Sequence, residues 1–494
     1  VKSFNTILNL AVLFNIKAHY SYIMFKNYRK TKILATIGPS SEKITKIEKL
    51  VLSGVDAFRI NCSHATNSQI NNYVENIRKV EKKLKRPIGI LIDLQGPKLR
   101  IGEIKNGEII LKKGQKISLV NIETTKKLNE IPLPEKKIFK SIKVNQPIFI
   151  DDGKIKLKVL KISKNTIETK VILEGILKSK KGLNLPETVL KSSALTQSDK
   201  KNVKKAIELD VDWIALSFIQ SPEDVKDLRK LCKNISIMAK IEKPRALNYI
   251  NEITKLADGL MIARGDLGVE LPIQDVPSWQ KRIIREGRIQ GKPVIVSTQM
   301  LESMITSKTP TRAEVSDVAT AVFEGSDAVM LSAESATGDN PELAVKMMNK
   351  IAHSVEKNPN YSSILSAQLE ETPDSTPDAI ATAARSLATE LNSPIIVCYT
   401  ESGSTGIKVS RVRPKQMILT VTPIIKTARK LTLVWGVKCI VQKDANNLEE
   451  MIKITKTYSK KEKLIKVGEK MVITAGLPLK KLGTTNLIRV IKVD

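Results

Sequence analysis

Short apolar runs alternate with stretches of helical spacing through the first three quarters of the chain. The runs at 32–38, 57–63, 88–94, 212–218, 236–242, 259–265, 293–299 and 328–334 are short, β-rich and mainly apolar. Between most of them lie stretches with the i, i+3, i+4 pattern of amphipathic helices, such as 42–53 and 222–231. Repeated strand-then-helix units predict a parallel sheet, and eight of them predict a closed (β/α)₈ TIM barrel.

Nearly every run ends in a polar or charged side chain: Arg59 and Asn61, Asp93, Ser217, Lys240 and Glu242, Arg264 and Asp266, Thr298, Glu334. Barrel active sites lie at the carboxyl ends of the strands, so these endings point to a catalytic face. The interval between the third and fourth runs is too long for one crossover helix. Residues 96–196 are rich in Lys, Ile and Val, with turn signals at Asn106-Gly107, Lys113-Gly114 and Asp152-Gly153. They are expected to form a small all-β, barrel-like lid domain inserted on the catalytic rim, able to exclude water. The TIM-barrel catalytic domain is then 29–95 with 197–370. A polar, Pro-containing linker at 371–377 opens a C-terminal α/β domain, 371–494, with strands at 395–400, 417–422, 438–442, 471–474 and 488–493.

The first segment, 1–28, has a different texture. Its apolar run at 7–16 is interrupted by Asn9 and Asn15, too short and polar to span a bilayer, and no acidic residue precedes Glu42. We read it as an extension upstream of a true start at Met24, which predicts a cytoplasmic protein; the alternative is an organellar transit peptide.

Composition narrows the chemistry. The 82 Lys and Arg against 51 Asp and Glu give a net charge of +31, which suggests anionic partners. The lysines are spread through nearly every segment and only 4% of residues are aromatic, so stacking platforms for nucleic acid are scarce, and neither nucleic acid nor membrane is the expected partner. Cys62, Cys232, Cys398 and Cys439 form no C-x-x-C pair, which argues against a zinc knuckle or a disulfide framework. With three histidines in 494 residues, carboxylates, Lys and Arg must carry the chemistry.

In M-A-K-I-E-K-P, Lys240 and Glu242 are two residues apart and point to one face of a strand. In A-R-G-D-L-G, Asp266 supplies a second carboxylate beside glycines whose amides suit an anion. Two carboxylates at neighbouring strand ends suit magnesium, whose other positions go to water and substrate oxygens. Arg59 and Lys240 offer two cations to a phosphate, and Thr298 adds a hydroxyl. This is a set for phosphoryl transfer, which depends on positioning and charge stabilisation and needs no covalent nucleophile. No G-x-x-x-x-G-K-[ST] loop or kinase G-x-G-x-x-G is present.

The strings T-K-I-L-A-T-I-G-P-S-S, R-I-N-C-S-H, A-K-I-E, A-R-G-D-L-G-V-E, T-Q-M-L-E-S-M, P-T-R-A-E-V-S-D-V-A and M-L-S-A-E-S-A resemble pyruvate kinase in order and spacing, over about 29–494. The resemblance implies transfer of the phosphoryl group of phosphoenolpyruvate to ADP, giving pyruvate and ATP. It implies Arg59 and Lys240 on the phosphoryl group, with Lys240 stabilising its transition state. Magnesium falls to Glu242 and Asp266, and the enolpyruvate to Gly265, Asp266 and Thr298, whose hydroxyl helps relay a proton to the methylene carbon. Asn61, His64 and Arg100 match positions facing the nucleotide phosphates, and Asn61, Ser63, Asp93 and Leu94 match the monovalent-cation position. A homotetramer is also implied.

Departures from the family pattern carry their own expectations. Potassium-dependent members resemble D-T-K-G-P-E-I-R where this chain has D-L-Q-G-P-K-L-R. The ammonium of Lys98 is expected to fill the place of the monovalent cation, so potassium is not expected to be required; the alternative is a Lys98 that points to solvent. Ser198 stands where many members have a Lys near ADP, and Ala65 replaces a Gly. In Y-T-E-S-G-S-T-G, Thr400, Ser402, Gly403, Ser404 and Thr405 are a candidate phosphate cradle for an effector, against a plain strand-to-helix turn. The competing readings are another metal-dependent phosphoenolpyruvate or pyruvate barrel enzyme, which leaves the lid and last domain unexplained, and a basic scaffold that has lost catalysis, which predicts damaged strand ends.

Overall fold

A computed structural model describes residues 28–188, 193–368, 375–478 and 485–494. The expected extension, apart from Tyr28, and residues 371–374 of the expected linker lie outside the described residues. In chain order, the strands begin with β1 (Lys32–Thr36), β2 (Ala57–Asn61) and β3 (Gly89–Asp93). The inserted segment carries β4 (Glu108–Leu111), β5 (Lys116–Val120), β6 (Glu130–Pro132), β7 (Pro147–Ile150), β8 (Ile155–Ile162), β9 (Thr166–Leu173), β10 (Gly175–Lys178) and β11 (Leu183–Asn184). Then come β12 (Trp213–Leu216), β13 (Ser236–Ile241), β14 (Gly259–Ala263), β15 (Val294–Ser297) and β16 (Ala328–Leu331). The last strands are β17 (Ile395–Tyr399), β18 (Met417–Thr422), β19 (Val437–Val441), β20 (Lys470–Gly476) and β21 (Thr485–Lys492).

The eight strands anticipated from the apolar runs close into a barrel in the order β1-β16-β15-β14-β13-β12-β3-β2. Packing divides the chain into two units. One runs up to Ile92 and takes in Leu209–Trp213 and Ile284–Asp494; the other holds Asp93–Glu208 and Ile214–Ile283.

In the first unit, β1 pairs in parallel with β2 and β16, and all five of its residues are buried, which is why its sequence shows no alternation. Local signals set the helix starts. Thr66 and Gln69 form a capping box on Asn67–Leu84, and Thr311 and Glu314 form one on Arg312–Phe323. In the C-terminal sheet, ordered β19-β18-β17-β20-β21, β21 is the antiparallel edge. Successive residues of β17 feed opposite faces: Ile395, Val397 and Tyr399 enter one core, Ile396 and Cys398 the other. Under the barrel, Asp56 accepts bonds from Arg29, Arg86 and the Ile33 amide. These groups line a cavity of about 150 Å³ with Lys32 and Lys438.

In the second unit, the inserted segment folds on its own apolar core, which includes Ile117, Leu119, Ile148, Leu157, Val159 and Ile167. A six-stranded sheet, β11-β7-β8-β9-β5-β6, accompanies the β4-β10 pair; the short helix Lys136–Ser141 is the exception to the all-β expectation. The anticipated turns carry left-handed residues, with φ of 62° at Asn106, 84° at Gly114 and 54° at Asp152. The two chain segments that join this domain to the barrel strands pair with each other: Ile101 N–H donates to Lys181 O and Leu183 N–H to Leu99 O, both at 3.0 Å.

Candidate active site

Within the second unit, the end of β13 projects Lys240 and Glu242 to one side, as their two-residue spacing requires. Lys240 is 9% exposed. It donates to Ser217 Oγ at 2.7 Å and pairs with Glu242 Oε1 at 2.8 Å and Asp93 Oδ1 at 3.2 Å. Ser217 in turn donates to the Leu94 carbonyl at 2.7 Å, so the carboxyl ends of β3, β12 and β13 are tied through one ammonium.

Asp93 and Glu242 are each 1% exposed. Burial pushes the Glu242 carboxyl upward, the Lys240 charge opposes this, and the nearby Asp266 carboxylate adds to the rise. The second Glu242 oxygen accepts the Phe218 N–H at 2.7 Å, an amide aimed by a left-handed φ of 58° at Phe218. Asp266 is half-buried in the first turn of the helix Arg264–Glu270, next to Gly265.

Two carboxylates thus stand near each other, one with its lone pairs organised by fixed donors. Among the described residues no cluster of three or more His, Cys, Asp or Glu side chains forms a protein-only cage. A pair of hard oxygen donors, with the remaining positions left to water and substrate, fits magnesium.

Within the first unit, Arg59 leaves β2 half-buried, and its Nη1 donates to Thr36 Oγ1 at 3.1 Å. Thr36 passes the chain on to the Leu331 carbonyl at 2.8 Å. Asn61 accepts the Ser63 amide through Oδ1 at 3.0 Å, and its carbonyl takes the His64 N–H at 3.1 Å. Ser63 and His64 are exposed.

Thr298 follows β15 with φ of 69°, a conformation β-branched residues rarely adopt, and its hydroxyl donates to the Ser297 carbonyl at 2.6 Å. The loop it opens is held by Glu334. That carboxylate, 2% exposed, accepts the Leu301 amide at 3.2 Å and the Ser332 amide at 2.7 Å. Glu334, a polar strand ending in sequence, is therefore a buried clamp on the mouth.

Other anticipated positions lie on the surface. Arg100 is exposed, and its guanidinium donates to the Lys180 carbonyl at 3.1 Å. Ser198 is exposed at the start of the helix Gln197–Glu208. Lys98 departs from expectation. It is exposed, with its stem beside Gly182, and makes no ion pair among the described residues, whereas the cation against Asp93 is Lys240. Long Lys stems keep their ammonium in water where the chain allows, and here the cluster already has its cation.

In the C-terminal domain, Gly403 has φ of 90°, and its amide donates to Thr400 Oγ1 at 2.9 Å. Ser402 donates to Ser404 at 3.2 Å, and Thr405 is occupied by Thr485 at 2.8 Å. Thr405 is therefore committed within the fold.

Ser217 is the functional neighbour that sequence reasoning left outside the site, although its place at a polar strand end was its signal. Phe218 closes the run 212–218, and Lys243 and Glu270 lie within the strings M-A-K-I-E-K-P and A-R-G-D-L-G-V-E, but sequence reasoning singled out none of the three.

The description of the pyruvate kinase barrel domain matches residues 28–345, and that of the pyruvate kinase alpha/beta domain matches 378–491. The chain is 46% identical over 466 residues to a pyruvate kinase of Methylorubrum extorquens, covering 94% of this chain and 98% of that one. It is 44% identical over 470 residues to a pyruvate kinase of Agrobacterium vitis, covering 95% and 99%. The crystal structure of a pyruvate kinase from Cryptosporidium parvum superposes with a TM-score of 0.89 at 32% identity, over 94% of this chain and 96% of that one.

Proposed function

This chain belongs to the pyruvate kinase family and transfers the phosphoryl group of phosphoenolpyruvate to ADP, and from that premise we propose which of its side chains act and how. The observation that carries the proposal is the pinned ammonium of Lys240, held by Ser217, Asp93 and Glu242.

A phosphoryl group arriving at Lys240 exchanges one of these partners for its own oxygen. The ammonium then stabilises charge as the group moves between oxygens, with no reorganisation of the surrounding dipoles. Arg59, its guanidinium steadied by Thr36, binds the same phosphoryl group. Glu242 and Asp266 hold a divalent ion, which we take to be magnesium; when bound, it supplies positive charge against the phosphoryl and enolate oxygens. Gly265, Asp266 and Thr298 receive the enolpyruvate, and the Thr298 hydroxyl takes part in delivering the proton to its methylene carbon. Asn61, His64 and Arg100 serve the nucleotide phosphates, and the lid excludes water from the transfer.

We assign the catalytic domain to 29–95 and 197–370, the lid to 96–196 and the effector-type domain to 371–494. The separate lid core and the two cores of the last sheet support this division. A homotetramer is proposed from the family. Free thiols at all four cysteines support a reducing, cytoplasmic setting, and among the described residues no helix is long and apolar enough to cross a membrane. We propose effector binding at Thr400, Ser402, Gly403 and Ser404, with the Thr405 hydroxyl, bonded to Thr485, holding the turn.

We propose that potassium is not required, on the sequence departure at Lys98 alone: in this structure Lys98 is exposed and the cation against Asp93 is Lys240. The test is pyruvate formation from phosphoenolpyruvate and ADP with magnesium, followed through lactate dehydrogenase in tetramethylammonium buffer. Full activity without potassium is expected. Activity that appears only with potassium overturns this proposal, and none in either buffer from folded protein removes the catalytic assignment.

A further inference from the structure

Glu270 closes the helix that carries Asp266, one turn further on, so the two carboxylates share a face. It is 4% exposed, an unusual place for a charge outside a reaction centre. Three separate parts of the second unit meet at it. Lys243, the residue but one after Ile241 and the immediate neighbour of Glu242, forms an ion pair with Glu270 Oε1. Asn184, on the outgoing lid strand β11, donates through Nδ2 to that same oxygen at 2.7 Å. The other oxygen, Oε2, is buried with no hydrogen-bond partner among the described residues. Lys243 also lies 5.7 Å above the Phe218 ring, and Phe218 is the residue whose amide donates to Glu242.

Each link has a direction. Charge holds Lys243 at Glu270, which fixes the backbone just past Glu242 relative to the helix bearing Asp266. Asn184 reports where the lid stands, because it lies one residue beyond the paired connection at Leu183. A lid movement that withdraws Asn184 leaves a buried carboxylate with one donor fewer and only Lys243 to compensate. That imbalance must be relieved where Lys243 is anchored, beside Glu242.

We propose that Glu270 is a positioning residue that couples lid posture to the spacing of Glu242 and Asp266, so that divalent-ion affinity and lid contact depend on each other. The proposal rests on the metal role given above to those two carboxylates. Reciprocity follows from linkage: if the Asn184 contact tightens ion binding by some factor, the ion stabilises the contact by the same factor.

The test measures manganese binding to the full chain, by loss of the free-ion electron paramagnetic resonance signal without substrates, for Asn184→Ala, Glu270→Gln, the double variant and Glu242→Gln. Amide hydrogen exchange at 99–101 and 181–183 is followed with and without manganese. Asn184→Ala is expected to weaken manganese binding about 3- to 10-fold and to abolish the slowing of hinge exchange by manganese; its effect should vanish in the Glu270→Gln background. In turnover, the magnesium KM rises while kcat at saturating magnesium stays within about 2-fold. Wild-type affinity and hinge exchange in Asn184→Ala, or effects that simply add in the double variant, overturn the coupling. Unchanged binding in Glu242→Gln overturns the metal assignment instead, and the hinge exchange of Asn184→Ala then decides the lid contact by itself. If Glu270→Gln does not fold, the Asn184→Ala result stands alone with the same two outcomes.

Discussion

Replacing Lys240 with Met separates its two tasks. At 2.8 and 3.2 Å, and with an effective dielectric constant of about 20, its attractions to Glu242 and Asp93 are about 6 and 5 kcal/mol before desolvation is charged against them. Removing one member of a buried ionic cluster typically costs about 3–5 kcal/mol, since the partners stay buried without compensation. With Asp266 nearby, the substitution leaves three carboxylates without the Lys240 charge. Lys240→Met is therefore expected to melt several degrees below the parent at pH 7, and to recover part of that loss as pH falls and the Glu242 carboxyl, held above its usual range by burial, takes up its proton.

Magnesium should then raise the melting temperature of Lys240→Met more than that of the parent, because the ion restores the missing positive charge. The rate effect is separate and is not restored: loss of the ammonium should lower kcat about 10³- to 10⁵-fold, the range of a cation acting on a transferring phosphoryl group. Scanning fluorimetry with and without magnesium, beside the coupled assay, reads both. A variant with parental melting temperature and no extra response to magnesium would show that the ammonium does not balance these carboxylates, and the reasoning would fail.

Thr298→Gly should stabilise the fold while damaging the reaction. A left-handed β-branched residue stores about 1–3 kcal/mol of strain, of which glycine returns part against its own entropy, so a gain of about 1 kcal/mol in denaturant unfolding is expected. Loss of the hydroxyl should lower kcat about 10²- to 10⁴-fold, and a drop in stability or an unchanged kcat would refute the assignment. Lys438→Met tests the cavity under the barrel, where burial, then the Arg86 charge, pushes the Lys438 amine down to about 7 from 10.5. Between these values the unfolded chain holds more protons, so the native contribution improves as pH rises from 7 to 10.5. The Met variant should therefore melt above the parent at pH 7, with the difference gone near pH 10.5; a constant difference across that range would exclude titration of Lys438.

The barrel was legible because its strands are mostly buried and show as short apolar runs, eight of them with helical stretches between most. The observed strands stop one to three residues short of the runs, as at Ser236–Ile241 before Glu242 and Ala328–Leu331 before Glu334, since the motif residues continue past the last paired position. Lys240 and Glu242 were legible through the period of two. The direction of Lys98 was not, because it depends on how the lid connection packs beside Gly182, and neither the charge nor the neighbours of Lys98 in sequence set that. Glu334 read as a mouth residue, but whether a carboxylate faces substrate or clamps two amides depends on loops distant in sequence. The meeting of Asn184, Lys243 and Glu270 brings together three segments with no shared pattern and left no signal.

The pairing of β1 with β16 has a consequence for the way the chain is made. Lys32 lies opposite Ala328, so the ladder that seals the barrel joins residues roughly 300 positions apart. At about 5–20 residues per second of synthesis, β1 waits about 15–60 s for its partner. Throughout that interval Ile33, Leu34 and Ala35, fully buried in the finished protein, lie along an open strand edge on the nascent chain. The lid emerges meanwhile and closes its neighbouring hairpins such as β8 with β9, whose partners are 5 to 17 residues apart. A newborn chain of this protein thus carries a finished small domain on an unfinished large one, and the burden of keeping it soluble falls on whatever shields the first three barrel strands.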